Sequence, residues 1–286
     1  MSLTINTAVK LSSGASIPQL GFGVFRAEPK DCEAAVKEAL RVGYRHIDSA
    51  QFYHNEEDVG RTVKESGLKR SEVFITTKYL PEQTPTPPSK VYDSIRSSLG
   101  KIDQLSSDDD KKYIDLLLVH AAFGGPEGRA NNWEALVKAQ KEGWVKDIGV
   151  SNFDVPHLKA LPGPKPAVNQ VELHPFCQQK EIAEYCKENG IIVQAYSPLF
   201  QGDKSGLENP VMVKIAKKHG KDVSHVALRW SLQKGFVPLP KSVTPSRIAS
   251  NADLYDFELS QEDMDEIATL DKGMAGTIAW NPISIP

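Results

Sequence analysis

The chain has little with which to build a cross-linked or membrane-embedded protein. Its 286 residues hold three cysteines, Cys32, Cys177 and Cys186, an odd number without a CxxC pair. A disulfide framework or a zinc site is therefore not expected, no metal is assigned, and a reducing compartment is the default. No stretch approaches the roughly 18 apolar residues of a membrane span, and Met1-Ser-Leu-Thr-Ile-Asn6 lacks a basic region followed by an apolar run. We expect a cytoplasmic protein with no membrane partner. Charge of one sign is lacking too: the formal net charge is −3, which leaves no nucleic-acid footprint. The cluster Asp108-Asp-Asp110-Lys-Lys112 mixes both signs and reads as a solvated loop. No Pro/Gly/Ser linker divides the chain, so a single domain over 1–286 is expected.

The usual dinucleotide loop is also missing. Gly21-Phe-Gly23-Val-Phe-Arg26 starts as GxGxxG, but Arg26 occupies the third glycine position. No tyrosine is followed by a lysine four residues on, the spacing that short-chain dehydrogenases use.

What is present is a repeat of strand, loop and helix. Lys10–Pro18 reads as a small hairpin with Ser-Ser-Gly at its turn. Strands are expected at Gln19–Phe25, His46–Ala50, Phe74–Tyr79, Ile114–His120, Ile148–Asn152, Ala167–Leu173, Ile191–Ser197 and Phe236–Ser242. Amphipathic helical patterns lie between them, for example Ala35, Val36, Ala39 and Leu40 at helical spacing. Cys186 falls on the apolar face of a helix near 178–189 and reads as core filler. The strands are continuous apolar runs, as in parallel sheets covered on both faces. The fold class is α/β: a (β/α)8 TIM barrel with an N-terminal β-hairpin, with an open doubly wound sheet as the alternative. Polar residues recur at the C-terminal strand ends: Asp48, Lys78, His120, Ser151-Asn152, Gln170-Glu172, Tyr196-Ser197 and Lys241-Ser242. In a barrel those ends ring one mouth.

The stretch Asp48-Ser-Ala-Gln-Phe-Tyr53-His-Asn-Glu56 crowds a carboxylate and a phenol into one strand-to-helix loop. A tyrosine alone is more often a half-buried aromatic, with a resting pKa near 10. Lys78, paired with Asp48, is placed to lower the Tyr53 pKa and make it a proton donor. His120 alone would more often be a satisfied core residue; beside Tyr53 it can donate to a carbonyl oxygen. Further along, Thr244 reads as an N-cap with Pro245 at the first helical position, flanked by Lys241 and Arg247. Two cations and a hydroxyl suit a phosphate monoester such as the 2′-phosphate of an adenine ribose. Ser151, Asn152 and Gln170 suit a carboxamide, and Tyr196 can stack on a nicotinamide ring.

Together, Asp48-Ser-Ala-Gln-Phe-Tyr53-His-Asn-Glu-Glu-Asp-Val-Gly60, Leu-Leu-Leu-Val-His120, Gly149-Val-Ser-Asn-Phe153, Val168-Asn-Gln-Val-Glu-Leu-His-Pro175, Tyr196-Ser-Pro198 and Pro240-Lys-Ser-Val-Thr-Pro-Ser-Arg247 resemble the aldo-keto reductases, in order and over nearly the whole chain. The resemblance implies a barrel that binds NADPH extended and reduces a small-molecule carbonyl as a monomer. It makes Tyr53 the general acid, Lys78 and Asp48 its tuners, and His120 the orienter. Ser151, Asn152 and Gln170 would hold the carboxamide, with Tyr196 stacking and Ser197 and Leu199 beside it. Lys241, Ser242 and Arg247 would take the 2′-phosphate, and Asn251 the adenine. Phe25, Tyr53, His120, Ala121 and Phe123 would line the substrate pocket.

Departures from the family pattern are local. Asp-Ser-Ala replaces Asp-Thr-Ala, Phe25 stands for a pocket tryptophan, Ala121-Ala122 for Trp-Pro, and Ser250 for a glutamate. Leu105–Lys112 reads as an insertion, and the short tail ending at Pro286 implies that a long specificity loop is absent. Thr-Thr-Lys78-Tyr, His-Pro-Phe176 and His120-x-x-Phe123 are similar to fungal reductases of dicarbonyls and keto-lactones. Two other readings are kept: a non-turnover nicotinamide sensor or partner subunit on the same fold, and a barrel hydrolase using Glu172 and Glu56.

Overall fold

The apolar runs pair in the order in which they occur. In the computed structural model, which describes residues 3–106 and 111–285, a hairpin of β1 (Ala8–Lys10) and β2 (Ser16–Pro18) precedes β3 (Phe22–Gly23), β4 (His46–Asp48), β5 (Phe74–Tyr79), β6 (Ile114–Val119), β7 (Val145–Ser151), β8 (Val168–Glu172), β9 (Ile192–Tyr196) and β10 (Val237–Pro238). Half of the expected insertion, residues 107–110, and with it all three aspartates of the 108–112 cluster, lies outside the described residues. Strands β3 to β10 form one sheet of eight, each hydrogen-bonded in parallel to the next. An open doubly wound sheet would reverse its strand order at a switch point; this sheet does not.

Closure is made by two backbone bonds. Gly21 N–H donates to the Pro238 carbonyl at 3.1 Å, and Gly23 N–H to the Pro240 carbonyl at 3.0 Å. The seam strands are shorter than the expected Gln19–Phe25 and Phe236–Ser242 because Pro238 and Pro240 have no N–H to return. Gly21 is needed for close approach: a Cβ there would lie 2.5 Å from Leu239 Cδ2 and 2.6 Å from His46 Nδ1.

Side chains alternate across the barrel wall, as strand geometry demands. Ile75 and Ile47 pack outward in the main core with Leu117, Val119 and Val171, against helices such as Pro29–Val42 and Pro88–Ile102. Leu116, Leu118 and Val168 face inward and cluster with Leu11 and Ile17 of the hairpin, which plugs the base of the barrel. Higher in the lumen the inward positions turn polar: His46 and Asp48 on β4, Thr76 and Lys78 on β5, Gln170 and Glu172 on β8, and Gln194 on β9 are all buried.

The C-terminal segment is docked on the barrel. Glu172 is 0 % exposed. Its Oε1 accepts from Ile278 N–H at 2.7 Å and Ala279 N–H at 3.1 Å, and lies 3.1 Å from His174 Nε2. Trp280 follows, 63 % exposed, with its ring 5.7 Å from that of Phe123.

Two stability measurements check these contacts. Gly21→Ala is expected to lower the urea-unfolding free energy by about 1–3 kcal/mol, the usual penalty for overpacking. Glu172→Gln leaves one tail N–H facing a donor, so a loss of about 1–3 kcal/mol and faster proteolysis of the segment after Lys272 are expected. Unchanged cleavage would show that Glu172 does not hold the tail.

Candidate active site at the barrel mouth

The loop after β4 is bolted down on both sides of Tyr53. Gln51–Tyr53 forms a single 3₁₀ turn, closed by Tyr53 N–H to the Ala50 carbonyl at 3.0 Å. His54 then takes a left-handed φ of 57° and turns the chain into the helix Glu56–Glu65. On one side Gln51 Nε2 donates to Ser94 Oγ and Ser98 Oγ, both at 2.9 Å. On the other, buried Asn55 donates to the Val24 carbonyl at 3.0 Å and accepts from Ser49 Oγ at 2.9 Å. Glu56, Glu57 and Asp58 occupy the first helical turn, where the macrodipole favours anions.

Below Tyr53 lies Lys78, 0 % exposed. An ammonium has three donors, and Lys78 Nζ places all of them: Asp48 Oδ1 at 2.6 Å, the Ser49 carbonyl at 2.8 Å and Tyr53 Oη at 3.2 Å. Burial acts to neutralise this lysine, but the charge and hydrogen bond of Asp48, with Tyr53, outweigh it and hold the Lys78 pKa above its ordinary value. We read the pair as charged. Each partner is buried only because the other is, and removing one would strand the other.

The expectation of a lowered Tyr53 pKa needs correction. Burial raises the phenol above its ordinary value; Lys78 pulls it down, Asp48 adds a smaller upward push, and the net shift is up. Tyr53 is thus held fully protonated at neutral pH. The pull of Lys78 is therefore smaller than the effect of burial on the resting phenol.

His120 sits across the mouth, its ring 5.8 Å from that of Tyr53. Its N–H donates to the Tyr79 carbonyl at 2.9 Å and its carbonyl accepts from Asn152 Nδ2 at 3.0 Å, which fixes the backbone beneath the ring. Burial, with a smaller push from Lys78, lowers its pKa to about 3. The imidazole is neutral and has one N–H to give.

The remaining candidates form two groups. In the wall beside His120, Ser151 Oγ donates to the Gln170 carbonyl at 2.9 Å, and Gln170 Nε2 donates to Asp48 Oδ2 at 2.8 Å. Asn152 Oδ1 accepts from Tyr196 OH at 2.9 Å, and the same hydroxyl lies 3.3 Å from the Trp280 carbonyl. Ser197 and Leu199 follow, both partly buried. The second group lies past β10. Thr244 is the N-cap of the helix Pro245–Ser250, with Pro245 in its first turn, but its side chain makes no capping bond; Ser242 Oγ accepts from Thr244 N–H instead, at 3.1 Å. Lys241 and Arg247 are exposed, and among the described residues neither has a carboxylate partner. Asn251 is buried behind them, and Ser250 is bonded to His225 Nε2 at 3.0 Å. Lys241 lies one strand from Asp48 along the wall: a Cβ on Gly23 would lie 3.8 Å from Lys241 Cβ, and Gly23 pairs in register with Asp48.

Of the expected pocket residues, Phe25 lies 4.9 Å from the Tyr53 ring, while Ala121 is buried and offers no surface. Two rim aromatics escaped sequence reasoning. Phe52 is 51 % exposed with its ring 6.2 Å from His120, and Trp280 reaches the mouth on the docked tail. Phe52 was legible as the neighbour of Tyr53; Trp280 had no local signal. The hydrolase reading fails on geometry. Glu56 accepts from Thr77, which points out of the wall where Lys78 points in, whereas Glu172 is occupied by the tail.

Comparison with known proteins places this geometry. The profile of the Aldo/keto reductase family matches residues 19–272. The glyoxal reductase of Bacillus subtilis is 45% identical over 277 residues, covering 95% of both chains. Among solved structures, the aldo-keto reductase MGS-M4 from a Medee basin deep-sea metagenome library superposes with a TM-score of 0.89 at 39% identity, covering 98% of this chain and 99% of that one. The Bombyx mori aldo-keto reductase AKR2E4, solved in complex with NADP, superposes at 0.84 with 30% identity, covering 94% of each chain. By its sequence over nearly its full length and by its barrel, this chain belongs to the aldo/keto reductase family.

Proposed function

We propose that the chain is an NADPH-dependent reductase of aldehydes and ketones, with Tyr53 as the acid that protonates the carbonyl oxygen. The observation that carries this is the triple engagement of Lys78 Nζ by Asp48, Ser49 and Tyr53. It keeps a full positive charge within hydrogen-bond distance of a phenol at the open end of the barrel, where a phenolate will need it.

The residues present fit NADPH at both ends. Lys241 and Arg247 offer two exposed cations, which suits a 2′-phosphate. Ser151, Asn152, Gln170 and Tyr196 form a hydrogen-bonded wall beside Tyr53 and His120, at the place for a carboxamide and a flat ring, with Asn251 buried behind the phosphate end. When bound, NADPH supplies the hydride. The chain does the rest. His120 donates its N–H to the carbonyl oxygen and orients it; Tyr53 gives its proton to the same oxygen; Lys78, held by Asp48, stabilises the phenolate left behind. Phe25, Phe52 and Trp280 shield the mouth from water. An α-dicarbonyl is the first substrate class to try, on the strength of the Bacillus subtilis relative. We take a single-domain monomer as the working unit. A nicotinamide-binding sensor on the same fold predicts binding of NADPH without consumption in a panel of aldehydes, α-diketones and keto-lactones.

Tyr53→Phe is expected to lower kcat by about 10²- to 10⁴-fold, with NADPH binding retained by nicotinamide fluorescence. Reduction needs the phenol protonated, so its rate is expected to be flat through neutral pH and to fall only at high pH. Lys241→Ala with Arg247→Ala is expected to raise KM for NADPH by about tenfold or more while leaving KM for NADH nearly unchanged. Equal effects on both cofactors would refute the 2′-phosphate assignment.

A further inference from the structure

The interior of a (β/α)8 barrel is ordinarily filled by layers of branched apolar side chains. Here a polar column descends from Asp48 instead. Gln170, Gln194, His46 and Thr76 come from four different strands, and each is 1 % exposed or less. Gln170 Nε2 donates both to Asp48 Oδ2 at 2.8 Å and to Gln194 Oε1 at 2.9 Å. Gln194 Nε2 lies 3.4 Å from His46 Nε2, which is also 3.0 Å from Thr76 Oγ1.

Chemistry gives the column one direction. A carboxylate only accepts, so Gln170 must turn its NH₂ toward Asp48. The same nitrogen reaches Gln194, which must therefore present its oxygen, and the Gln194 NH₂ is left facing His46. This direction makes His46 Nε2 the acceptor of the Gln194 NH₂, a role that its contact with the Thr76 hydroxyl also allows, and puts the ring proton on Nδ1, which meets no acceptor in hydrogen-bond geometry among the described residues. Burial holds the ring neutral with a pKa of about 3; the Pro18 carbonyl pulls the other way, and Lys78 adds to the lowering. A protonated His46 would confront the Gln194 NH₂ with a second donor and reverse the chain.

We propose that Gln194 and His46 are positioning residues that hold the Gln170 amide in the orientation that donates to Asp48, and so set the Asp48–Lys78 pair on which Tyr53 depends. This rests on the reading of Tyr53 as the proton donor. Without the Gln194 oxygen, a buried N–H of Gln170 loses its partner, and the amide can rotate its own oxygen against the Asp48 carboxylate. An unpaired buried donor and a carboxylate facing an acceptor are both unfavourable. The titratable groups around Asp48 and Tyr53 are Lys78, His120 and Tyr196 at the mouth and His46 below.

Gln194→Met keeps the volume and removes the acceptor. Its kcat for carbonyl reduction is expected to fall about tenfold, the scale of one lost charge-assisted hydrogen bond, with the carbonyl KM within about twofold. The high-pH limb of kcat is expected to move upward, because Asp48 without its Gln170 donor places more negative potential on the phenol. Gln194→Glu keeps an acceptor toward Gln170 and can pair with a protonated His46, so it is expected to recover most of the rate. No loss of rate in the Met variant, or a loss without movement of the limb, overturns the proposal. A second measurement needs no variant. Imidazole ¹⁵N NMR of the intact protein is expected to show His46 as the Nδ1–H tautomer between about pH 6 and 9; an Nε2–H tautomer or an imidazolium overturns the column's direction. Wild-type turnover, measured first, separates failure of this proposal from failure of the carbonyl-reductase reading.

Discussion

The site depends on one buried ion pair. Lys78 and Asp48 meet at 2.6 Å, Lys78 fully buried and Asp48 3 % exposed, and while burial pushes the Asp48 pKa up, the charge and hydrogen bond of Lys78 and the Gln170 amide oppose it. Desolvation alone would neutralise each. The pair persists because every donor of Lys78 is used and both Asp48 oxygens accept, one from Lys78 and one from Gln170. Such pairs contribute little net stability compared with apolar packing, and breaking one side is costly. A buried charge that stability does not need is best explained by the group it acts on, and Lys78 faces Tyr53.

Around that pair the barrel is divided by height. The hairpin residues Leu11 and Ile17 seal the base with Leu116, Leu118 and Val168, which makes the lower lumen apolar. The upper lumen carries the polar layer and opens at the mouth. The tail then lies across one side of the opening because Glu172, an inward carboxylate 3.1 Å from His174 Nε2, also takes the backbone N–H groups of Ile278 and Ala279 as its partners. The docked tail brings Trp280 opposite Phe123.

Much of this was legible along the chain. Parallel strands, their order and the polar strand ends follow from local runs and their spacing, and Asp48, Tyr53, Lys78 and His120 were found because each ends a strand or follows one. The boundaries at β3 and β10 were not, because the seam is made by two glycine N–H groups reaching proline carbonyls that lie more than 200 residues away in the chain. The direction of the Tyr53 shift was missed for a related reason. The attraction of Lys78 can be anticipated from residue types, whereas the larger opposing effect is burial, which depends on how closely Phe25, His120 and the loop pack around the ring.

By itself, then, the amino-acid sequence determined which chemical groups stand at the barrel mouth, since strand periodicity assigns each side chain a face and an end. Only the tertiary structure decided how those groups are wired: that all three Lys78 donors are taken, that Gln170 faces Asp48 rather than solvent, that Glu172 belongs to the tail and Glu56 to the outer wall. The physical reason is that a hydrogen bond has direction and needs about 3 Å, and contacts between strands far apart in the chain are fixed by barrel closure rather than by any local pattern.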